Sequence, residues 1–281
     1  MIPCYGCWQF YRKYAGGKDF NAFRLRDIVF FVRKNDGTLE NEFAGNLIEV
    51  CPTGVFTDKT FKHHYTRKWD LTMAPSICVH CSLGCNTTAG ERYGMLRRIL
   101  TRYNGDVNGY FICDRGRFGY EFVNSERRIR VPLLQRDGVT KPVPRETSIE
   151  QLGQMLSTNK KIIGIGSPRA SLEANFALRT LVGAKQFYTG MADDEFRLVL
   201  HMLDILREGS VRTPTLHEVE LSDAVLVLGE DVTNTAPIMA LRLRQSVRQQ
   251  PLEIARKLRI PLWPDHGVRE ALQDHKGPSF I

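Results

Sequence analysis

The chain has 281 residues, 42% hydrophobic and 25% charged, which gives room for about two domains and excludes disordered and fibrous classes. Its net charge of +8 is compatible with nucleic acid, an anionic surface or an acidic partner. No apolar run approaches the roughly 18 residues of a membrane span, no signal peptide is expected at the N-terminus, and seven cysteines in an apparently cytosolic chain point to metal more than to disulfides.

The first residues read Met1-Ile2-Pro3-Cys4-Tyr5-Gly6-Cys7, and Cys51-Pro52 follows downstream. A ferredoxin-type site uses three cysteines spaced Cys-x-x-Cys-x-x-Cys and a remote cysteine followed by proline. Counting back from Cys4 puts the first ligand at position 1, where Met1 stands. Cys4, Cys7 and Cys51 therefore match three ligands of a four-ligand pattern, and buried or inert thiols are the plain alternative. Between them, Ile28–Val32 is expected as a short buried strand, with a turn at Asn35-Asp36-Gly37. His63 and His64 are expected at the surface.

Cys78-Val79-His80-Cys81-Ser82-Leu83-Gly84-Cys85 places three thiols in eight residues, and Cys113 returns from a distance. One loop wrapping three corners of a cubane, closed by a remote fourth thiolate, is the pattern of a 4Fe–4S site. Gly84 permits the sharp turn between ligands. A four-thiolate zinc site remains the alternative, although zinc modules commonly show two separated Cys-x-x-Cys pairs. His80 is read as lying beside the ligands or exposed. From Glu91 to Arg130 there are nine arginines, no lysine and five acids. Guanidinium groups near an anionic cluster would stabilise it, but a solvated basic face accounts for most of the nine.

A proline-marked junction, Arg130 to Pro144 around the turn Asp137-Gly138, changes the character of the chain. Ser148-Ile149-Glu150-Gln151 reads as a capping box opening a helix, and Lys161–Gly166 as a buried strand ending in a glycine turn. Helices are expected from about Leu172 to Leu181 and along Phe196, Val199, Leu200, Leu203 and Leu206. Ala224–Leu228 reads as a second buried strand, with Pro237 near the start of the next helix. This alternation argues for a mostly parallel α/β sheet, with both strands buried on two faces. The loops Gly164–Arg169 and Gly229-Glu230-Asp231 are poor phosphate cradles and read as strand-end turns.

Together these motifs resemble one family: the G subunit of the bacterial NADH-quinone oxidoreductase, respiratory complex I. The resemblance rests on Cys4-Tyr5-x-Cys7, Tyr14–Gly17, Gly45-Asn46-Leu47 to Lys59, Arg67–Asp70 leading into the Cys78 loop, Gly90–Gly94, and Cys113–Tyr120. Gly164–Ala170 and Leu228–Thr233 extend it over nearly the whole chain. It implies an electron-relay iron–sulfur subunit on the cytoplasmic side of the inner membrane, partnered by other peripheral-arm subunits, with no nucleic acid and no membrane span of its own. The expected division is a partial ferredoxin-type 4Fe–4S region (1–70), a 4Fe–4S domain of the molybdopterin oxidoreductase type (71–130), and a truncated molybdopterin oxidoreductase-like α/β domain (131–281).

Two departures matter. The family's N-terminal 2Fe–2S domain and its histidine-plus-three-cysteine cluster have no counterpart here, and the chain stops at Gly277–Ile281 where the family continues. An impaired internal fragment, not catalytic in isolation, is therefore expected. A stand-alone molybdopterin-type oxidoreductase fragment and a basic zinc-binding nucleic-acid module are the readings from other classes.

Overall fold

In a computed structural model, residues 4–33, 35–64, 66–158, 161–262, 266, 267 and 270 are described. Met1 and the segment from Gly277 onward, both singled out in the sequence, lie outside the described residues. The chain divides into two compact units, residues 1–125 with 214–281, and residues 126–213.

The first unit begins with a one-turn helix, Gly6–Trp8, that runs on into a π-helical segment, Gln9–Tyr14. Strands β1 (Phe20–Leu25) and β2 (Ile28–Arg33) then form an antiparallel ribbon. The strand expected at Ile28–Val32 is present but not buried. Ile28, Phe30 and Val32 are exposed, while Val29 and Phe31 are half-buried. A two-stranded ribbon laid on one layer of core buries a single face, so the apolar run keeps its period of two. Strands β3 (Thr72–Ile77), β4 (Asn86–Arg92) and β5 (Met95–Thr101) make an antiparallel sheet in the order β3-β4-β5. Tyr93 and Gly94, both at positive φ, form the two-residue connection from β4 to β5 that such twisted hairpins favour.

One core serves this unit. Phe10, Tyr11, Phe20, Phe43, Leu47, Ile99, Ile112 and Tyr120 pack with Leu216, Ile238 and Leu241 from much later in the chain. The helix Leu216–Glu220 opens on a capping box of Thr215 and Glu218. The helix Pro237–Ser246 has proline in its first turn, as expected. Ala224–Leu228 lies between these two helices and is not a strand: no described strand pairs with it, and Leu228 is 79% exposed. An unbroken apolar run becomes a buried strand only when neighbours flank it on both sides.

The second unit holds β6 (Leu133–Arg136) and β7 (Val139–Pro142), an antiparallel hairpin turned by Asp137 and Gly138, both at positive φ. The helix that follows runs Arg145–Thr158, so Ser148 lies inside its first turn rather than capping it. The Ser148 amide already donates to Pro144 O (3.1 Å), because the helix starts directly after the proline. Strands β8 (Gly164–Ile165) and β9 (Phe187–Tyr188) pair in parallel across the helix Leu172–Val182, which Ser171 caps. The expected strand at Ile162–Ile165 is thus only two residues long and open to solvent, with Ile165 66% exposed. The helix Asp193–Glu208 carries the expected apolar spacing. Helix and strand content is mixed overall; β8–β9 is the parallel pair among the described strands, and the other pairings are antiparallel.

Candidate metal centre

Strand β3 delivers Cys78 and strand β4 leaves from Cys85, so the three-cysteine loop is the hairpin connection itself. Its neck is closed by the last ladder pair, Ile77↔Asn86, and by the Cys78 amide donating to Cys85 O (2.9 Å). Gly84 sits at φ 63°, in the left-handed region where a Cβ is costly. Cys113 arrives from elsewhere as the residue before the helix Asp114–Phe118.

These four thiols share one small region. A Cβ on Gly116 would lie 3.3 Å from Cys78 Sγ and 3.8 Å from Cys113 Sγ, so a bare glycine lets both sulfurs approach the same spot. Burial pushes the Cys85 thiol up to about 12, and the nearby Cys78, Cys113 and Cys81 push in the same direction. Cys113 is also raised, first by burial and then by Cys78 and Cys81, against the opposing Gly116 amide. Burial likewise raises Cys78, with Cys81 adding to it. Four thiolates so placed would repel one another in a low-dielectric pocket unless a cationic centre joined them. That donor set fits an iron–sulfur cluster. His80 is half-buried, its ring edge-on to Phe122 (6.1 Å between centroids) and close against Gly119.

The second constellation is more open. Cys4 is exposed, Cys7 is buried in the one-turn helix, and Cys51 is the residue where the helix Leu47–Val50 ends. They line a cavity of about 40 Å³ together with Phe31, Pro52 and Phe56. Cys51 is held down at about 7, chiefly by its hydrogen bond with Thr53 Oγ1 (3.2 Å), against some burial. Burial raises Cys7, with the Cys51 and Cys4 charges adding. Three cysteines therefore line this one cavity. Among the described residues, no group of three His, Cys, Asp or Glu is arranged to hold a single metal ion.

Of the nine arginines, two are buried in the core, Arg98 and Arg117. Arg117 donates to Asn46 Oδ1 (2.9 Å), Thr101 Oγ1 (3.2 Å) and Glu49. Arg115 is exposed but near enough to Cys78 and Cys113 to lower both. Arg127, Arg128 and Arg130 are exposed, as a solvated face would be. Asn46, Asp114 and Arg117 shape the site through pairing between distant segments, which no local sequence pattern signals.

Comparison with known proteins places the class first. Residues 1–57 match the family described as NADH-quinone oxidoreductase subunit 3, ferredoxin-like domain, and residues 71–125 match the molybdopterin oxidoreductase Fe4S4 domain. Both are iron–sulfur domains. Over its whole length the chain is also similar to the G subunit of NADH-quinone oxidoreductase, at 51% identity across 280 residues with the proteins of Shewanella oneidensis, Salmonella typhimurium and Escherichia coli K12. It spans 31% of the length of those relatives.

Proposed function

We propose that the chain is an electron-relay iron–sulfur part of a protein of the G-subunit type from NADH-quinone oxidoreductase, respiratory complex I. Cys78, Cys81, Cys85 and Cys113 hold one 4Fe–4S cluster. Cys4, Cys7 and Cys51 form an incomplete ferredoxin-type site, because the position of the fourth ligand carries Met1, whose thioether is a weak, uncharged donor. When bound, a cluster supplies one-electron transfer between neighbouring redox centres. The chain's own contribution is to gather the thiolates, bury Cys85 and Cys113 and set guanidinium charge nearby. Residues 131–281 are read as an α/β region of the molybdopterin oxidoreductase type, supported by the parallel β8–β9 pair and its crossover helix, although the β6–β7 hairpin is antiparallel and Leu216, Ile238 and Leu241 pack in the core of the first unit.

In a full complex this relay passes electrons from NADH toward quinone, coupled to proton translocation, with other peripheral-arm subunits as partners on the cytoplasmic face of the inner membrane. Among the described residues no helix is long and apolar enough to cross a membrane.

The observation that carries the reading is the approach of Cys78 and Cys113 sulfurs to one glycine, Gly116, with Cys81 and Cys85 close enough to repel them. Anaerobic purification with an optical spectrum and metal counts tests it. The expected product is brown, with about four irons per chain. A colourless protein with one zinc would support the zinc module, and molybdenum or tungsten would support the stand-alone oxidoreductase.

A further inference from the structure

We propose that the Gly45–Asn46 turn is a positioning element shared by the two cysteine sites, locking Cys113 for the Cys78-type cluster while starting the helix that delivers Cys51. The proposal rests on the iron–sulfur reading above and adds residues outside both cysteine sets. The three-cysteine loop is closed by its own hairpin; Cys113 lies outside that hairpin and is supported locally only by its own helix, where its carbonyl accepts from the Arg117 amide (3.0 Å). Its two neighbours are instead held by residues 42–46. Before it, the fully buried Asn46 side chain donates to Ile112 O (2.7 Å) and accepts from the Ile112 amide (3.3 Å). After it, the Asp114 amide donates to Glu42 O (2.7 Å), and Asp114 Oδ1 accepts from the Gly45 amide (2.7 Å). Cys113 is thus gripped from both sides by one short segment.

That segment tolerates little change. A Cβ on Gly45 would stand 2.8 Å from Arg117 Cδ, Asp114 Oδ1 and Phe118 Cε2. Asn46 also donates to Phe43 O (3.0 Å) and accepts from Arg117 Nη2 (2.9 Å), so its amide is fully used. The helix Leu47–Val50 starts at Asn46, and the Cys51 amide closes it by donating to Leu47 O (3.0 Å). One rigid turn of helix therefore separates the clamp on Cys113 from the remote cysteine of the other site. Each site's distant ligand is located by packing against the segment that carries the other's.

The full chain, reconstituted anaerobically with iron and sulfide, provides the test. Asn46→Asp keeps the size and the acceptor oxygens but turns two donated hydrogen bonds into carboxylate–carbonyl contacts. Gly45→Ala adds only a methyl group, and Asn46→Ser is a milder variant that keeps a donor and an acceptor should the others not fold. Leu241→Ala, in the same core but making none of the clamp's hydrogen bonds, controls for loss of stability. Iron loss to a chelator is expected to be about tenfold faster in the clamp variants, the usual cost of removing support behind a metal ligand. The midpoint potential and electron paramagnetic resonance spectrum of the retained cluster shift with it, and alkylation of Cys51 in the cluster-free chain speeds up. Leu241→Ala is expected to lower the melting temperature and change none of these. Clamp variants that keep the unaltered rate, potential and Cys51 reactivity overturn the proposal, as does Leu241→Ala moving the potential equally. An unaltered chain without iron overturns the iron–sulfur reading itself, whereas iron retained alike in the unaltered and variant chains overturns only the clamp.

Discussion

The two cysteine sites are built from the same parts, a short loop and a remote cysteine, yet they differ in what surrounds the sulfur. At the Cys78 site the hairpin closes the loop, and Cys85 and Cys113 are buried, with thiols raised by burial and by neighbouring cysteines. At the Cys4 site one thiol is exposed and Cys51 is half-exposed and lowered toward 7. Burial makes the first set a poor home for free thiolates and a good one for a metal-bound set. The second set keeps more contact with solvent and, in the proposed reading, lacks a ligand. Matching spacing is therefore not matching environment.

The largest effect should come from the ligands themselves. Cys113→Ser is expected to remove nearly all iron retained by the chain, whereas Cys4→Ser changes the iron count little. Substantial iron surviving in Cys113→Ser would reverse the ranking of the sites. Next is the charge buried between them. Arg117 is 1% exposed and ion-paired with Glu49, so Arg117→Met leaves that carboxylate with only its bonds from Thr101 and is expected to cost about 3 kcal/mol in urea unfolding of the cluster-free chain.

On the Cys4 side, the π-helical segment after Cys7 is anchored by Tyr11, whose hydroxyl donates to Asp19 (2.6 Å) and accepts from the Asn41 amide (3.2 Å). Tyr11→Phe should cost about 2 kcal/mol at neutral pH, as hydrogen bonds to charged groups do. Burial raises Asp19, but the bonds from Tyr11 and the Glu40 amide outweigh it and hold the carboxyl below its ordinary 3.8. A carboxylate lowered in the folded state stabilises above its unfolded value and loses that contribution as pH falls through the folded one. The gap between Tyr11→Phe and the unaltered chain should therefore narrow below about pH 4; a gap that stays constant would show the Asp19 contact contributes nothing. The smallest effect is kinetic. In the cluster-free chain at neutral pH, partly exposed Cys51 should be alkylated before buried Cys85, and mass mapping of a brief treatment reads the order directly.

How much of this was legible in the sequence varied with the range of the interaction. Cysteine spacing is local, and the Cys78 loop and Cys51-Pro52 could be read directly. The helices at Leu172, Phe196 and Pro237 were legible because apolar periodicity and capping are local too. Ile28–Val32 was recognised as a strand, but an apolar run does not say whether one face or two is covered. Ala224–Leu228 failed for the same reason in stronger form, since strand formation depends on neighbours that the run itself does not encode. Asn46 and Arg117 look like ordinary polar residues until the chain brings positions 42–49 against 99–117. A buried asparagine whose amide is fully used leaves no mark in a single sequence.

Cys78, Cys81, Cys85 and Cys113 are proposed to hold one 4Fe–4S cluster. X-ray diffraction from anaerobically prepared crystals, with anomalous scattering collected at the iron and zinc edges, addresses it directly. The predicted result is one strong iron peak bounded by those four sulfurs, with no zinc signal there. A zinc peak at that position, or iron elsewhere with the four thiols unligated, would contradict it.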